Sequence, residues 1–144
     1  MTARKQISQL GKKVMQCALT PKAAGTADEV PFFYNSFGQT IKITSLGFVP
    51  VNAITGDNTN YMAIAVRNKG TDGTGTTAVT STKTYTLAVD SAAMDLTALS
   101  LSATAANLLV ASGAVLALNK TEAASGMALE GFIVFEYVFD SVAD

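Results

Sequence analysis

Residues 129–139, LEGFIVFEYVF, constrain the fold more than any other stretch of the chain. Successive side chains of an extended strand point to opposite faces. Ile133, Phe135, Tyr137 and Phe139 therefore share one face, and Phe132, Val134, Glu136 and Val138 share the other. Both faces are largely apolar. An antiparallel strand with one wet face alternates apolar with polar residues. This strand is expected to be covered twice, by its own domain on one side and by another subunit on the other. Phe132, Val134, Phe135, Tyr137 and Phe139 are the candidate subunit-interface residues.

The rest of the chain uses the same period. Ile41 and Ile43 alternate with Lys42 and Thr44, and Leu46, Phe48 and Val51 then fall out of phase with them. A phase slip inside an apolar run predicts a β-bulge or bend, here near residues 45–47. Pro50, lacking an N–H, marks an edge or a strand end. Residues 61–68 alternate cleanly, with Met62, Ile64 and Val66 on one face, and residues 83–90 alternate with Tyr85, Leu87 and Val89 together. A short strand is expected near 98–102, a turn at 104–107, a tight turn at Ser112-Gly113 and a strand over 114–119. The polar stretches 55–60 and 68–77 are rich in Gly, Asn, Asp and Thr and read as turns and surface loops. Strands spaced by such turns predict an all-β sandwich. With 144 residues, 49% of them hydrophobic, the chain suits one domain with a real core.

Charge is spread unevenly. Residues 1–27 carry five positive and no negative side chains, and residues 84–144 carry one positive and seven negative. This asymmetry suggests a basic arm, residues 1–30, on a neutral-to-acidic body, residues 31–144. Ile7, Leu10, Val14 and Ala18 would share one face of a short amphipathic helix, and the Pro- and Gly-containing stretch 20–28 reads as an extended linker. Arg4, Lys5, Lys12 and Lys13 are the candidate contacts to a neighbour. No apolar run follows the basic start as a signal peptide requires. Residues 96–119 are uncharged, but Ser, Thr and Asn are scattered through them, so a membrane span is not expected.

The chemical inventory is thin. The chain has no His, no Trp and a single cysteine, Cys17. Triads built on His and zinc sites of Cys and His cannot form, and no internal disulfide is available. Asp57-Asn58-Thr59-Asn60 lacks the calcium-loop spacing, and Gly73-Thr74-Gly75 lacks the Lys-Ser/Thr of a phosphate loop. The acidic residues Asp28, Glu29, Asp90 and Asp95 read as solvated surface. No aromatic residue interleaves with the N-terminal lysines, so nucleic-acid stacking has no support. No catalytic residue, metal, cofactor, small-molecule substrate, direct nucleic-acid partner or membrane is expected.

Residues 48–77 (FVPVNAITGDNTNYMAIAVRNKGTDGTGTT), 99–121 (LSLSATAANLLVASGAVLALNKT) and 129–139 resemble segments of the small capsid decoration, or cement, proteins of tailed bacteriophages. The likeness spans roughly residues 30–140 and rests on strand and turn patterns. It departs from the commoner form at Ser112-Gly113-Ala114, where an acidic residue often follows the glycine. The resemblance implies a jelly-roll-like antiparallel β-sandwich with an extended N-terminal arm, assembled as a homotrimer on the outer capsid surface. There it would bind the major capsid protein and bridge capsomers as a structural virion protein, with Arg4, Lys5, Lys12 and Lys13 reaching across the lattice. A receptor-binding or adhesion module on a head fibre or tail, using loops 55–60 and 68–77, is the alternative from the residues themselves.

Overall fold

The computed structural model describes residues 11–140. The strands are β1 (Lys13–Ala18), β2 (Asp28–Tyr34), β3 (Ile41–Pro50), β4 (Met62–Asn68), β5 (Thr77–Ala78), β6 (Lys83–Thr84), β7 (Thr97–Ala98), β8 (Leu109–Val110), β9 (Val115–Glu122) and β10 (Gly131–Phe139). One sheet runs β1-β10-β3-β7, with β8 also on β3. The other runs β2-β9-β4-β5, with β6 also on β4. All pairings between strands are antiparallel. Counting β5/β6 and β7/β8 each as one broken strand leaves eight, and the chain crosses between sheets at nearly every connection. That winding is a jelly roll.

The core lies between the sheets. Ile41, Ile43, Leu46 and Phe48 of β3 and Ile133, Phe135 and Tyr137 of β10 are buried against Met62, Ile64 and Val66 of β4 and Leu116 and Leu118 of β9. Each such aliphatic or Phe side chain contributes about 1.5–3 kcal/mol when removed from water. The expected phase slip is present, one residue earlier than its predicted span. Ile43 pairs with Tyr137 and Ser45 with Glu136, so Thr44 is the extra residue. That bulge lets both the 41/43 and the 46/48 pairs face inward.

Two expectations change. Lys13–Ala18 is a strand rather than part of a helix, and it supplies the first strand of the roll, so this stretch of the basic segment belongs to the body. Its alternation brings Met15 and Cys17 under the core, which a helix would not do. Residues 83–90 are not one strand. After β6 the chain turns, Tyr85 is buried and Leu87 is exposed, and Ala88 takes a positive φ of 66°. No helix of the described residues is long and apolar enough to cross a membrane, and residues 97–119 contain β7, β8, part of β9 and a 3-10 turn over Ala105–Leu108.

Candidate assembly surface

The outer face of the β1-β10-β3-β7 sheet is built by the second face of β10. Its rungs follow from the register. Ala18, Phe132 and Val49 form one, Gln16, Val134 and Gly47 the next, and Val14, Glu136 and Ser45 the third. Val14 is 60% exposed, and Phe132, Val134 and Val49 are half-buried. Gly47 leaves a flat spot that the Leu96 side chain overlies; a Cβ there would sit 2.5 Å from Leu96 Cδ1. Leu96 and Met94 remain 57% and 71% exposed, and the Met94 N–H donates to Pro50 O at 2.8 Å, which holds this loop beside the face. Lys12 pairs with Glu136 at 3.6 Å at one end. The result is an apolar tract crossing the sheet, with charge confined to its margin.

The sequence-predicted residues divide sharply. Phe132 and Val134 lie on this outer face. Phe135 is fully buried and Tyr137 is 5% exposed, so both belong to this chain's own interior and cannot form a subunit contact. The reason is the sandwich itself: one face of β10 must close the core. Phe139 is half-buried and packs on Phe37, as does Tyr137, with ring centroids 5.5 Å apart in both pairs. Lys12 is exposed, and Lys13 lies in β1 opposite Tyr137. Arg4 and Lys5 lie outside the described residues. Sequence reasoning missed Val14, whose helical reading hid it, and Leu96, which joins the face only because Gly47 stands opposite.

Polar side chains elsewhere are spent on the fold. Asp57 Oδ1 accepts from the Thr59 and Asn60 amides at 2.6 and 2.7 Å, and these bonds, Asn60's first, hold its carboxyl below the usual range. Asn58 and Asn60 accept from the Leu87 and Ser125 amides, which ties the 55–60 loop to two others. In the 68–77 loop, Asp72 accepts from the Thr74 amide at 3.0 Å, which lowers its pKa, and Lys69 pairs with Glu29 at 2.7 Å. Asp28 is held low by Lys22, 2.5 Å away, and then by the Glu29 amide. Asp90 accepts from the Gly56 amide, and Asp95 from the amide of Leu96. Each of these carboxylates is engaged by backbone amides or by a lysine.

One buried ion pair lies at the end of the sandwich. Lys120 Nζ donates to Ala23 O at 3.0 Å, to Thr26 O at 2.9 Å and to Glu122 Oε1. It clamps the β1–β2 connection to β9. Near that connection an open cleft of about 340 Å³ is lined by Ala24, residues 52–55, residues 126–128 and Glu130. Its one ionisable side chain is Glu130, with neither nucleophilic Cys nor Lys beside it. Among the described residues no three His, Cys, Asp or Glu side chains gather to hold a metal. Cys17, half-buried under the core, has its thiol pKa pushed up by burial, which disfavours the reactive thiolate.

No protein-family model matches the sequence, and a search of curated proteins found no match. Among solved structures, "Structure of infectious bursal disease virus Gx strain" aligns with 90% of this chain at 12% identity and a TM-score of 0.47. The alignment covers 33% of that chain, so this protein spans about a third of its length.

Proposed function

We propose that this protein is a structural component of a virus particle, a decoration protein that binds the outer surface of a tailed-phage head and reinforces it by bridging capsomers. One observation carries the reading: a jelly roll whose closing strand has a second, apolar face that the described residues of its own chain cover only in part, with Val14, Met94 and Leu96 exposed beside it. Large uncovered apolar tracts mark protein-interaction sites. The sequence resemblance to cement proteins supports the same reading. So does the use of the polar side chains, which hold loops together rather than converge on a reacting centre. The mechanism is contact area multiplied over many copies, since simultaneous engagement raises avidity by about 10²–10⁴ over a single contact. The major capsid protein is the proposed partner, with a homotrimer as the capsid-bound form. Lys12, at the margin of the face, and the basic residues Arg4 and Lys5 are the proposed electrostatic contacts.

The test is co-sedimentation with phage heads stripped of decoration. The native protein should pellet with the heads, and Leu96→Asp, a change at an exposed position on the face, should lower occupancy at matched concentration. Native protein that stays in the supernatant would sink the capsid assignment. Full occupancy by Leu96→Asp would show that another surface makes the contact. A second variant lacking residues 1–10 keeps β1 and reads the contribution of Arg4 and Lys5.

A further inference from the structure

We infer that the free edge of β1 pairs with the same edge of a second copy of this chain, the two strands running antiparallel about a two-fold axis at Gln16. This concerns the protein free in solution, not its capsid-bound form, and it goes beyond the virion reading and stands without it.

Among the described residues β1 is the last strand of its sheet and pairs with β10 alone. The Leu19 N–H donates to Gly131 O at 3.0 Å, on the β10 side. Alternate residues of an antiparallel strand aim their N–H and C=O the same way. Lys13, Met15 and Cys17 therefore point their main-chain groups at β10, and Val14, Gln16 and Ala18 point theirs at the free edge.

Exposed edges invite pairing, and proteins blunt them with short strands, proline, bulges or charge. The other margins here are blunted in those ways. β2 carries Pro31, an extra residue at Phe32 and Glu29. β5, β6, β7 and β8 are two residues each. β1 has six residues, no proline and no register shift, and residues 14–18 carry no charge.

Charge also selects the direction in which a second copy can lie. Lys12 and Lys13 crowd one end of β1. A parallel second copy would set the lysines of both chains side by side. An antiparallel copy centred on Gln16 places Val14 opposite Ala18, Gln16 opposite Gln16 and Lys12 opposite Thr20. In that register Val14, Gln16 and Ala18 each meet a residue whose main-chain groups face them, so every rung exchanges both hydrogen bonds. The side chains match as well. Val14 meets Ala18, and the apolar row of Val49, Phe132 and Ala18 continues across the seam.

The experiment is light scattering after size exclusion on the full chain, native and Gln16→Pro. The Gln16 N–H faces away from β10, so proline removes an edge donor and leaves the β1–β10 ladder whole. The expected native mass is two chains or an even multiple, halved by Gln16→Pro with an unchanged far-ultraviolet circular dichroism spectrum. If Gln16→Pro does not fold, Gln16→Cys in a Cys17→Ser background replaces it. Directly opposed hydrogen-bonded residues have Cα atoms about 5.5 Å apart, within disulfide reach, so oxidation should give a covalent dimer. A native mass of one or three chains overturns the inference. So does an even mass that Gln16→Pro leaves unchanged, or the absence of covalent dimer from Gln16→Cys. None of these outcomes depends on whether the protein binds heads.

Discussion

The side-chain amide of Asn35 donates to the carbonyl of Val110, 2.9 Å away and 75 positions on in the chain. The same nitrogen donates to Gln39 O at 3.0 Å, and Asn35 Oδ1 accepts from the Phe37 amide at 3.1 Å. Asn35 is fully buried, and its main chain bonds Ala114 and Gly113. One side chain thus joins the β2–β3 turn, in the sheet-crossing connection, to β8. Asn35→Ala strips partners from buried carbonyls, and each group left unsatisfied costs about 1–3 kcal/mol. The expected result is a lower urea midpoint with an unchanged m-value.

Lys120 and Glu122 occupy the same face of β9, with side chains 0% and 6% exposed. Removing one partner of a buried pair leaves an uncompensated charge, at a cost of about 3–5 kcal/mol. Lys120→Met should destabilise by that amount and free the Ala23 and Thr26 carbonyls from their clamp. Adding Glu122→Gln to Lys120→Met removes the stranded charge and should restore part of the loss. Thermal unfolding of the single and double variants measures both effects.

Gly113 sits at φ +84° in the turn that leads into β9, where Ala114 N–H donates to Ala111 O at 3.0 Å. A Cβ at this position would meet Thr71 Cγ2 at 3.6 Å and the Tyr34 hydroxyl at 3.8 Å, ordinary contacts. The cost of Gly113→Ala is therefore backbone strain alone, about 1–2 kcal/mol for an L-residue in the left-handed region. Denaturant titration should find a loss of that size with the fold intact.

Asp28, Asp57 and Asp72 all have carboxyls held below their ordinary value of 3.8. A depressed folded-state pKa adds stability above the unfolded value and loses it as pH falls through the folded value. Stability should hold down to about pH 4 and decline in stronger acid. Asp57→Asn should flatten that acid limb by lowering stability at neutral pH, where the ionised carboxylate contributes, and leave stability in strong acid nearly unchanged. A pH series of thermal midpoints checks it.

Much of the roll was legible in the sequence. Ile41, Ile43, Leu46 and Phe48 announced an inward-facing strand with a phase slip, and Met62, Ile64 and Val66 another, and all seven are buried. Ser112-Gly113 marked a real turn. The candidate assembly surface was half legible. Phe132 and Val134 were found because β10 is apolar on both faces, yet Leu96 was not, since nothing local ties residue 96 to Gly47. Residues 83–90 alternate like a strand, but only Lys83 and Thr84 find a partner on β4.

The amino-acid order by itself determined where β3, β4, β9 and β10 run and where the turns before β4 and β9 fall, because period and turn chemistry act over a few residues. It could not decide which apolar face of β10 is the interior. Phe135 and Tyr137 differ from Phe132 and Val134 only by parity, and parity acquires meaning when the second sheet closes over one side. The same holds for β1. Residues 13–18 have no clean apolar face of their own, and they became a strand because β10 presents six positions of unpaired edge to them. Long-range hydrogen bonding, not local preference, made that choice.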